Sequence, residues 1–189
     1  EGRRLLSGLR YDTIRAHARI AGDRPAGMLP SPAQLYALYN EDADPGPRSE
    51  DHWSGMLRLE QDLRRVPGTA YAVVSRTMRT ADATERYFAS NAETASGRWV
   101  GNPGIRPERH LQAEFGLVAR GQAWTVEASV FHNRIDDYIL RDRFHQPGDN
   151  ATVYRNTRAS LSGGELSLAY RAAGWHAEAG LAHVRGHDH

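Results

Sequence analysis

Histidine and methionine are the residue types in this sequence that could bind a soft or borderline metal ion. The chain has nine histidines and three methionines, and both side chains are good ligands for copper. Met28 lies in the first long polar stretch, Met78 at the edge of the second, and His145 in the third. These three residues are candidate metal ligands, although none shows ligand spacing. The segment 187–189, His-Asp-His, does show it, but at the end of the chain.

Serine, histidine and asparagine occur together at 129–133, and some hydrolases use these residue types. Alternate residues of a strand point to opposite faces, so Ser129 and Asn133 share one face while His132 lies on the other. No catalytic triad follows. Cysteine is absent, which excludes disulfides, thiolate metal sites and cysteine nucleophiles. The sequence therefore predicts neither an enzyme active site nor a bound cofactor.

The charge balance and hydropathy narrow the class of protein. The formal net charge is +1, and every Lys+Arg position is arginine, so no strong field favours nucleic acid as a partner. Mean hydropathy is -0.64, and no run approaches the ~18–20 apolar residues of a transmembrane helix. A transmembrane barrel strand exposes only every second residue to lipid, so its average hydropathy stays low.

Apolar and polar residues alternate along most of the patterned segments, which indicates strands. In 52–63, Trp53, Leu57 and Leu59 fall on one face, and Arg58 and Glu60 on the other. Similar patterns occur in six more segments, at 5–19, 71–79, 111–117, 124–139, 153–170 and 175–181. The sequence therefore predicts an all-β, antiparallel fold of about seven strands. One helical turn is predicted at 31–39, with Ser31 as the cap and Pro32 first.

The connections alternate between short and long. Short turns at 65–68, 120–122 and 172–174 alternate with polar stretches at 20–50, 80–107 and 144–151. Short turns on one rim and long loops on the other are typical of outer-membrane barrels. A soluble all-β sandwich is the alternative that periodicity leaves open, although two loops are long for a compact domain. Aromatic residues near the strand ends predict a membrane-interface girdle; they are Trp53, Tyr71, Trp124, Tyr170 and Trp175.

One segment carries a family resemblance. The sequence GNPGIRPE at 101–108 resembles the GNPxLxPE signature that precedes a barrel strand in TonB-dependent outer-membrane receptors. Segments 71–80, 129–139 and 154–165 are similar to three further family motifs, in the family's order. The resemblance covers about residues 52–185. Thr80-Ala81 and Gly104 depart from the residues common in the family.

The residue types at the matching positions also predict local structure. Asn102-Pro103-Gly104 is a turn signal, and Pro107 favours an extended entry into the next strand. Asp136 and Asp137 are expected either to face the lumen and bond a plug or loop, or to be solvated at the rim. Gly163-Gly164 is expected to form a bulge that turns Glu165 inward. The family-motif positions are Asn102, Pro103, Pro107, Glu108, Asp136, Asp137, Asn156, Gly164 and Glu165.

The resemblance implies an antiparallel transmembrane β-barrel fragment with short periplasmic turns and long extracellular loops. Residues 1–189 are expected to be part of a wall of about 22 strands, with the plug domain and the final strands absent. The resemblance places the protein in the Gram-negative outer membrane, in contact with its lipid. It also implies energy from the TonB-ExbB-ExbD complex, through a missing N-terminal region.

The ligand is the least constrained part of the resemblance. Segments 80–87 and 136–140 look most like the copper-receptor branch, so copper is the favoured transported ligand. A ferric siderophore is the alternative within the same family, and a soluble all-β binding domain is a less favoured alternative outside it.

Overall fold

The structure, a computed structural model, describes residues 2–19, 30–90 and 92–188; Met28 and His189 lie outside this range. The described residues form eight strands: β1 (Arg3–Ala16), β2 (Arg48–Asp62), β3 (Gly68–Arg79), β4 (Trp99–Val100), β5 (Glu108–Arg120), β6 (Trp124–Arg143), β7 (Thr152–Ala172) and β8 (Trp175–Asp188). They also form helices α1 (Pro32–Tyr39) and α2 (Ala83–Tyr87), and a 3-10 turn at Ala95–Gly97. Among these residues no helix is both long and apolar enough to cross a membrane.

Seven long strands form one antiparallel sheet in the order β1-β2-β3-β5-β6-β7-β8. The predicted all-β, antiparallel fold of about seven strands is confirmed. Tight turns join β2 to β3, β5 to β6 and β7 to β8 at one end, the short-turn end; the long connections lie at the loop end. No alternation in the sequence indicates β4, whose residue Trp99 pairs in parallel with Thr152 of β7. Within the described residues the sheet does not close on itself.

One side of the sheet, the apolar face, carries exposed hydrophobic side chains on every long strand. Register places them together, for example Leu5 opposite Leu59 and Leu166 opposite Leu181. Their members include Leu5, Leu9, Leu57, Leu59, Val74, Phe115, Val130, Leu166 and Leu181. The opposite side, the polar face, carries Arg58, Glu114 and Glu165. No second sheet covers the apolar face in the part of the chain described, so the sandwich alternative is wrong.

The aromatic residues follow the predicted girdle with one exception. Trp53, Trp124, Tyr170 and Trp175 are exposed on the apolar face. The assignment of Tyr71 is wrong, because Tyr71 lies on the polar face. Its ring stacks under Arg58, with the guanidinium carbon 3.8 Å from the ring centroid, and its hydroxyl donates to Glu114 at 2.9 Å.

A β-bulge interrupts β6, but not where a bulge was expected. The register runs without a break through Gly163 and Gly164, and it shifts instead between Ile135 and Tyr138. Asp137, inside the bulge, has a positive φ of 59°, which aspartate tolerates better than most residues. Glu165 still lies on the polar face, opposite Ser129. Gly163 serves packing, since a Cβ there would lie 2.8 Å from the ring of Phe131.

Strands β6 and β7 extend far past the rest of the sheet at the loop end. They contain 20 and 21 residues, whereas about 9–11 residues suffice to span a bilayer. Two buried clusters pack against this extension. Val153 joins the first with α1, and Tyr154 joins the second with Ile105 and Ile139. Consecutive strand residues face opposite ways, so the clusters cover opposite faces of β7.

The long connections form what we call the loop cap: α1, α2, β4 and residues 101–107. Helix α1 begins as predicted, with Pro32 first and a capping box between Ser31 and Gln34. Its buried residues Leu35 and Tyr36 pack beside Val100 and Val153. The cap therefore has a small hydrophobic core of its own, above the sheet rather than within it.

Candidate functional site

Motif residues from three separate segments meet at the loop end of β5, β6 and β7. They include Asn102, Glu108, Asp137 and Asn156, and side-chain hydrogen bonds join them to neighbouring strands and loops. Gly164 and Glu165 lie elsewhere, in the middle of β7. The family-motif positions therefore divide into a loop-end cluster and a mid-strand pair.

Glu108, the first residue of β5, is the centre of the loop-end cluster. Its side chain is 3% exposed and accepts two hydrogen bonds from Arg79, at 2.7 and 2.9 Å. Arg79 also reaches Glu85 of α2 at 2.9 Å. The backbone N–H of Ile139, just past the bulge, donates to Glu108 at 3.0 Å. One carboxylate thus joins β3, β5 and β6, and Arg79 extends the connection to α2.

The cluster continues along the polar face through His110. Its Nε2 lies 2.9 Å from Glu108, and its Nδ1 lies 3.1 Å from the side-chain nitrogen of Asn133. If the Asn133 amide donates to Nδ1, then Nε2 carries the proton given to Glu108. His132 lies on the opposite face, against Ser162 at 2.8 Å. The predicted separation of His132 from Asn133 is confirmed.

Asp137 links the bulge to the loop before β5. Its carboxylate pairs with Arg106 at 2.6 Å and with Arg109 at 2.7 Å. The Asn156 side chain accepts from Arg106 N at 2.8 Å, and donates to Arg106 O at 2.9 Å and to Asp137 O at 2.7 Å. Asp137 therefore bonds a loop residue, whereas Asp136 stays partly exposed beside Arg134. Both line a depression with Arg109 on the side of the apolar face, so the expectation that they face the lumen is wrong.

The predicted turn at Asn102 is confirmed. The Asn102 side chain accepts from Gly104 N at 3.0 Å and donates to Tyr154 O at 3.2 Å. Pro103 is fully buried, and Pro107 is half-buried just before β5. A Cβ on Gly104 would lie 2.5 Å from the carbonyl oxygen of Asp42. This turn is therefore fitted closely between β7 and the first loop.

Further bonds connect the three long connections to one another. The Tyr36 hydroxyl donates to Tyr87 O at 2.6 Å, and the Tyr39 hydroxyl donates to Asp149 at 2.8 Å. Arg86 is buried and pairs with Glu50. Burial raises the pKa of Tyr36, and the nearby Tyr87 raises it further. Burial also raises the pKa of Tyr39, with Arg98 opposing the shift.

Sequence reasoning missed the ion pairs of Arg79 and Arg86. A signal existed for the first pair: Arg79 ends β3 and Glu108 begins β5, so the two face each other when these strands pair. Opposite charges at such positions stabilise an antiparallel pair. The pair of Arg86 with Glu50 joins α2 to the start of β2, and no local sequence pattern indicates it.

Two of the three metal candidates, Met78 and His145, lie on separate elements of the structure. Met78 lies in β3, where its sulfur is 3.6 Å from Arg76. His145 is exposed in the β6–β7 loop, with Nε2 3.9 Å from Asp142, and Met28 lies outside the described residues. Across 2–19, 30–90 and 92–188, no three His, Asp or Glu side chains are grouped so as to hold a metal ion.

The polar face also contains a depression nearer the short-turn end. It has a volume of about 560 Å³ and is lined in part by Tyr71, Glu114, Glu127, Ser129 and Glu165. The carboxylates of Glu114, Glu127 and Glu165 lie there together with apolar side chains such as Val118 and Ala182, so the surface offers both acidic and apolar contacts. Glu165 is exposed there, as its expected inward direction requires.

Comparisons with known proteins agree with this architecture. Residues 4–188 match the family described as TonB dependent receptor-like, beta-barrel. No curated protein matches the chain. The structure of "Copper transporter OprC" is similar at a TM-score of 0.77 and 26% identity, over 100% of this chain and 27% of that one.

Two more distant structures share the fold. The siderophore receptor PirA of Pseudomonas aeruginosa gives a TM-score of 0.60 and 20% identity, over 75% of this chain and 30% of its own. The hemophore receptor HasR of Serratia marcescens gives 0.65 and 19%, over 97% and 30%. This chain thus spans less than a third of each of these relatives. Because the family match covers nearly its whole length, the chain belongs to the TonB-dependent receptor family, as part of the β-barrel.

Proposed function

We propose that the protein containing this chain is a Gram-negative outer-membrane receptor that imports copper with energy from the TonB-ExbB-ExbD complex. The observation that carries the choice of copper is the similarity to the copper transporter OprC, over the whole chain and at 26% identity. The siderophore receptor PirA is similar over 75% of the chain at 20% identity. The hemophore receptor HasR is similar over 97% of the chain but at 19% identity, so the copper choice rests on the higher identity and not on extent.

The sheet supports the proposed location. Its apolar face exposes Leu9, Leu59, Phe115 and Leu181, which suits contact with hydrocarbon. Tryptophan and tyrosine lie at both ends of this face, as in the interface belts of membrane proteins. In this orientation the short turns face the periplasm and the loop cap faces outward. The polar face then lines the lumen that the plug domain of the whole receptor would fill.

The two candidate ligands that the structure describes, Met78 and His145, lie at the loop end, where a ligand would arrive. His145 is 79% exposed in the β6–β7 loop, so its imidazole is accessible to an incoming ion. The thioether candidates are Met28, in the first long stretch of the sequence, and Met78, at the loop end of β3. Imidazole and thioether groups suit copper better than the carboxylates that hold harder cations. A complete site needs donors from other parts of the receptor.

A ferric siderophore is the second candidate, favoured by the likeness to PirA, which extends to the fold alone. The deciding measurement is calorimetric titration of the full-length receptor with copper ions and, separately, with ferric siderophores. We expect tight copper binding, which weakens in His145→Ala but not in His176→Ala, a control at the short-turn end. Tight binding of ferric siderophores alone would reject copper.

The energy source needs its own test. Copper uptake by cells that express the receptor is compared in the presence and absence of TonB. We expect uptake above the passive background only when TonB is present. Equal uptake in both strains would contradict the proposed energised transport, while leaving the ligand question to the titration.

A further inference from the structure

On the apolar face, the side chains change from apolar to polar toward the loop end of β5 to β8. Along β6, the residues on this face are Val130, His132, Arg134 and Asp136 in that order, so apolar side chains give way to polar ones within two residues. Register carries the change across the sheet: Val130 is opposite Gly164, whereas Arg134 is opposite Ser160. On β8 the same step occurs between Leu181 and Arg185.

Two depressions lie side by side on this outward surface. The first has a volume of about 350 Å³ and is lined by Arg106, Arg109 and Arg158 together with Asp136 and Asp137. The second, of about 470 Å³, is lined by His132, Arg134, Arg158 and Ser160, again with Asp136. Arg158 borders both. We call Arg106, Arg109, Arg134 and Arg158 the arginine rim.

The arginine rim has more cationic groups than its carboxylates can neutralise. Arg106 and Arg109 share the single carboxylate of Asp137, and Arg134 pairs with Asp136. Arg158 is exposed, and its guanidinium pairs with no carboxylate in the part of the chain described. The side chains of Arg106, Arg109 and Arg134 are 70%, 51% and 63% exposed. Their remaining N–H donors therefore point to the surroundings of the barrel.

We propose that the arginine rim binds the phosphate groups of a phosphorylated lipid in the outer leaflet, with its acyl chains on the adjoining apolar face. Guanidinium groups match phosphate in charge and in paired N–H geometry. The exposed side chains of Phe115, Val130 and Leu166 continue the surface directly below the rim. A ligand that satisfies both parts must be amphiphilic and anionic. This inference rests on the proposed membrane location, but on neither copper nor TonB.

The test measures lipid binding to the purified full-length receptor in a nonionic detergent, by native mass spectrometry. Bis-phosphorylated lipid A is compared with the same lipid after removal of its phosphates. We expect the phosphorylated lipid to bind about tenfold or more tightly, which is the range of charge-assisted contacts, and to lose this advantage at high salt. The double variant Arg134→Gln/Arg158→Gln should remove the preference. Arg65→Gln, in an exposed short turn, should retain it.

Further arms separate the possible outcomes. Arg134→Lys/Arg158→Lys should keep part of the preference, and unchanged melting of the lipid-free variants shows that the fold is intact. Equal binding of both lipids, or competition by inorganic phosphate at the same concentration, would overturn the inference. Recovery of the receptor outside the outer-membrane fraction would instead contradict the proposed function. The two failures are therefore distinguishable.

Discussion

Glu108 accepts a hydrogen bond from the backbone N–H of Ile139, at 3.0 Å, just beyond the residue at which β6 stops pairing with β5. The same carboxylate holds Arg79 and lies 2.9 Å from His110. A glutamate side chain thus replaces the ladder partner that β6 loses past its bulge. This explains in physical terms why the last position of the GNPGIRPE segment is a carboxylate.

Loss of this carboxylate should destabilise the receptor strongly. Glu108→Ala leaves the Ile139 N–H without its acceptor and leaves Arg79, whose side chain is 43% exposed, paired only with Glu85. Loss of a hydrogen-bond acceptor for a buried donor costs about 1–3 kcal/mol. Glu108→Gln keeps an acceptor and should cost less. Thermal unfolding of the full-length receptor in detergent measures both. Glu178→Gln is the control, because Glu178 is 68% exposed; an equally large effect there would mean that burial is not the cause.

Gly116 makes room for Tyr71 on the polar face. A Cβ at Gly116 would lie 2.2 to 2.5 Å from atoms of the Tyr71 ring, so Gly116→Ala should displace the ring and cost about 1–3 kcal/mol. Tyr71→Ala removes the clash. We therefore expect the double variant to be more stable than the sum of the two single effects implies, which a double-mutant cycle measures. Simple additivity would argue against direct contact.

The positive φ of Asp137 predicts an order among its substitutions. Asn is tolerated in the left-handed region, while a β-branched residue is strained there by about 1–2 kcal/mol. Both Asp137→Asn and Asp137→Val lose the ion pairs with Arg106 and Arg109. Asp137→Val should therefore melt lower than Asp137→Asn. If the two melt together, the bulge does not impose this backbone conformation.

Buried tyrosines make the loop cap sensitive to alkali. Burial raises the pKa of Tyr36 and of Tyr39 above the ordinary value of 10.0, so the folded cap favours the neutral phenols. Their contribution is complete below pH 10 and declines as pH rises toward the raised folded values. The protection of the α1 amides, measured as their exchange rate relative to that of the unfolded chain at the same pH, should therefore fall at high pH. In the double variant Tyr36→Phe/Tyr39→Phe, the protection of the α1 amides should depend less on pH. If its pH dependence is unchanged, these two phenols are not the source.

The sequence predicts the wall strands well, because apolar and polar residues alternate along each strand and so show which side faces which surface. The alternation around Leu57 and Leu59 is local, and the structure confirms it. Tyr71 was misplaced because aromatic character was weighed without the alternation of its neighbours, Ala70 and Ala72. The pair Gly163-Gly164 predicts a bulge in β7, whereas the bulge lies in β6, where Asp137 has a positive φ.

The loop-end cluster was harder to predict, because its contacts join distant parts of the chain. The segment at 101–108 was identified as important through its resemblance, yet its partners Tyr154 and Asn156 lie about fifty residues away. A two-residue strand such as β4 has too few residues to show any period. This strand forms only because it pairs with the edge of β7, and the sequence around β4 does not indicate that pairing.

The contacts that the loop cap makes between distant parts of the sequence also have a consequence for how the receptor folds. Asn102 and Tyr154 are 52 residues apart in sequence, and Tyr39 and Asp149 are 110 apart. Such contacts raise the contact order and form only after the entropy of closing the intervening chain has been overcome. An isolated helix as short as α1 is unstable in water. We therefore expect the hairpins to form first and the outer loops to become ordered last, which pulse-labelled hydrogen exchange during refolding would resolve in time.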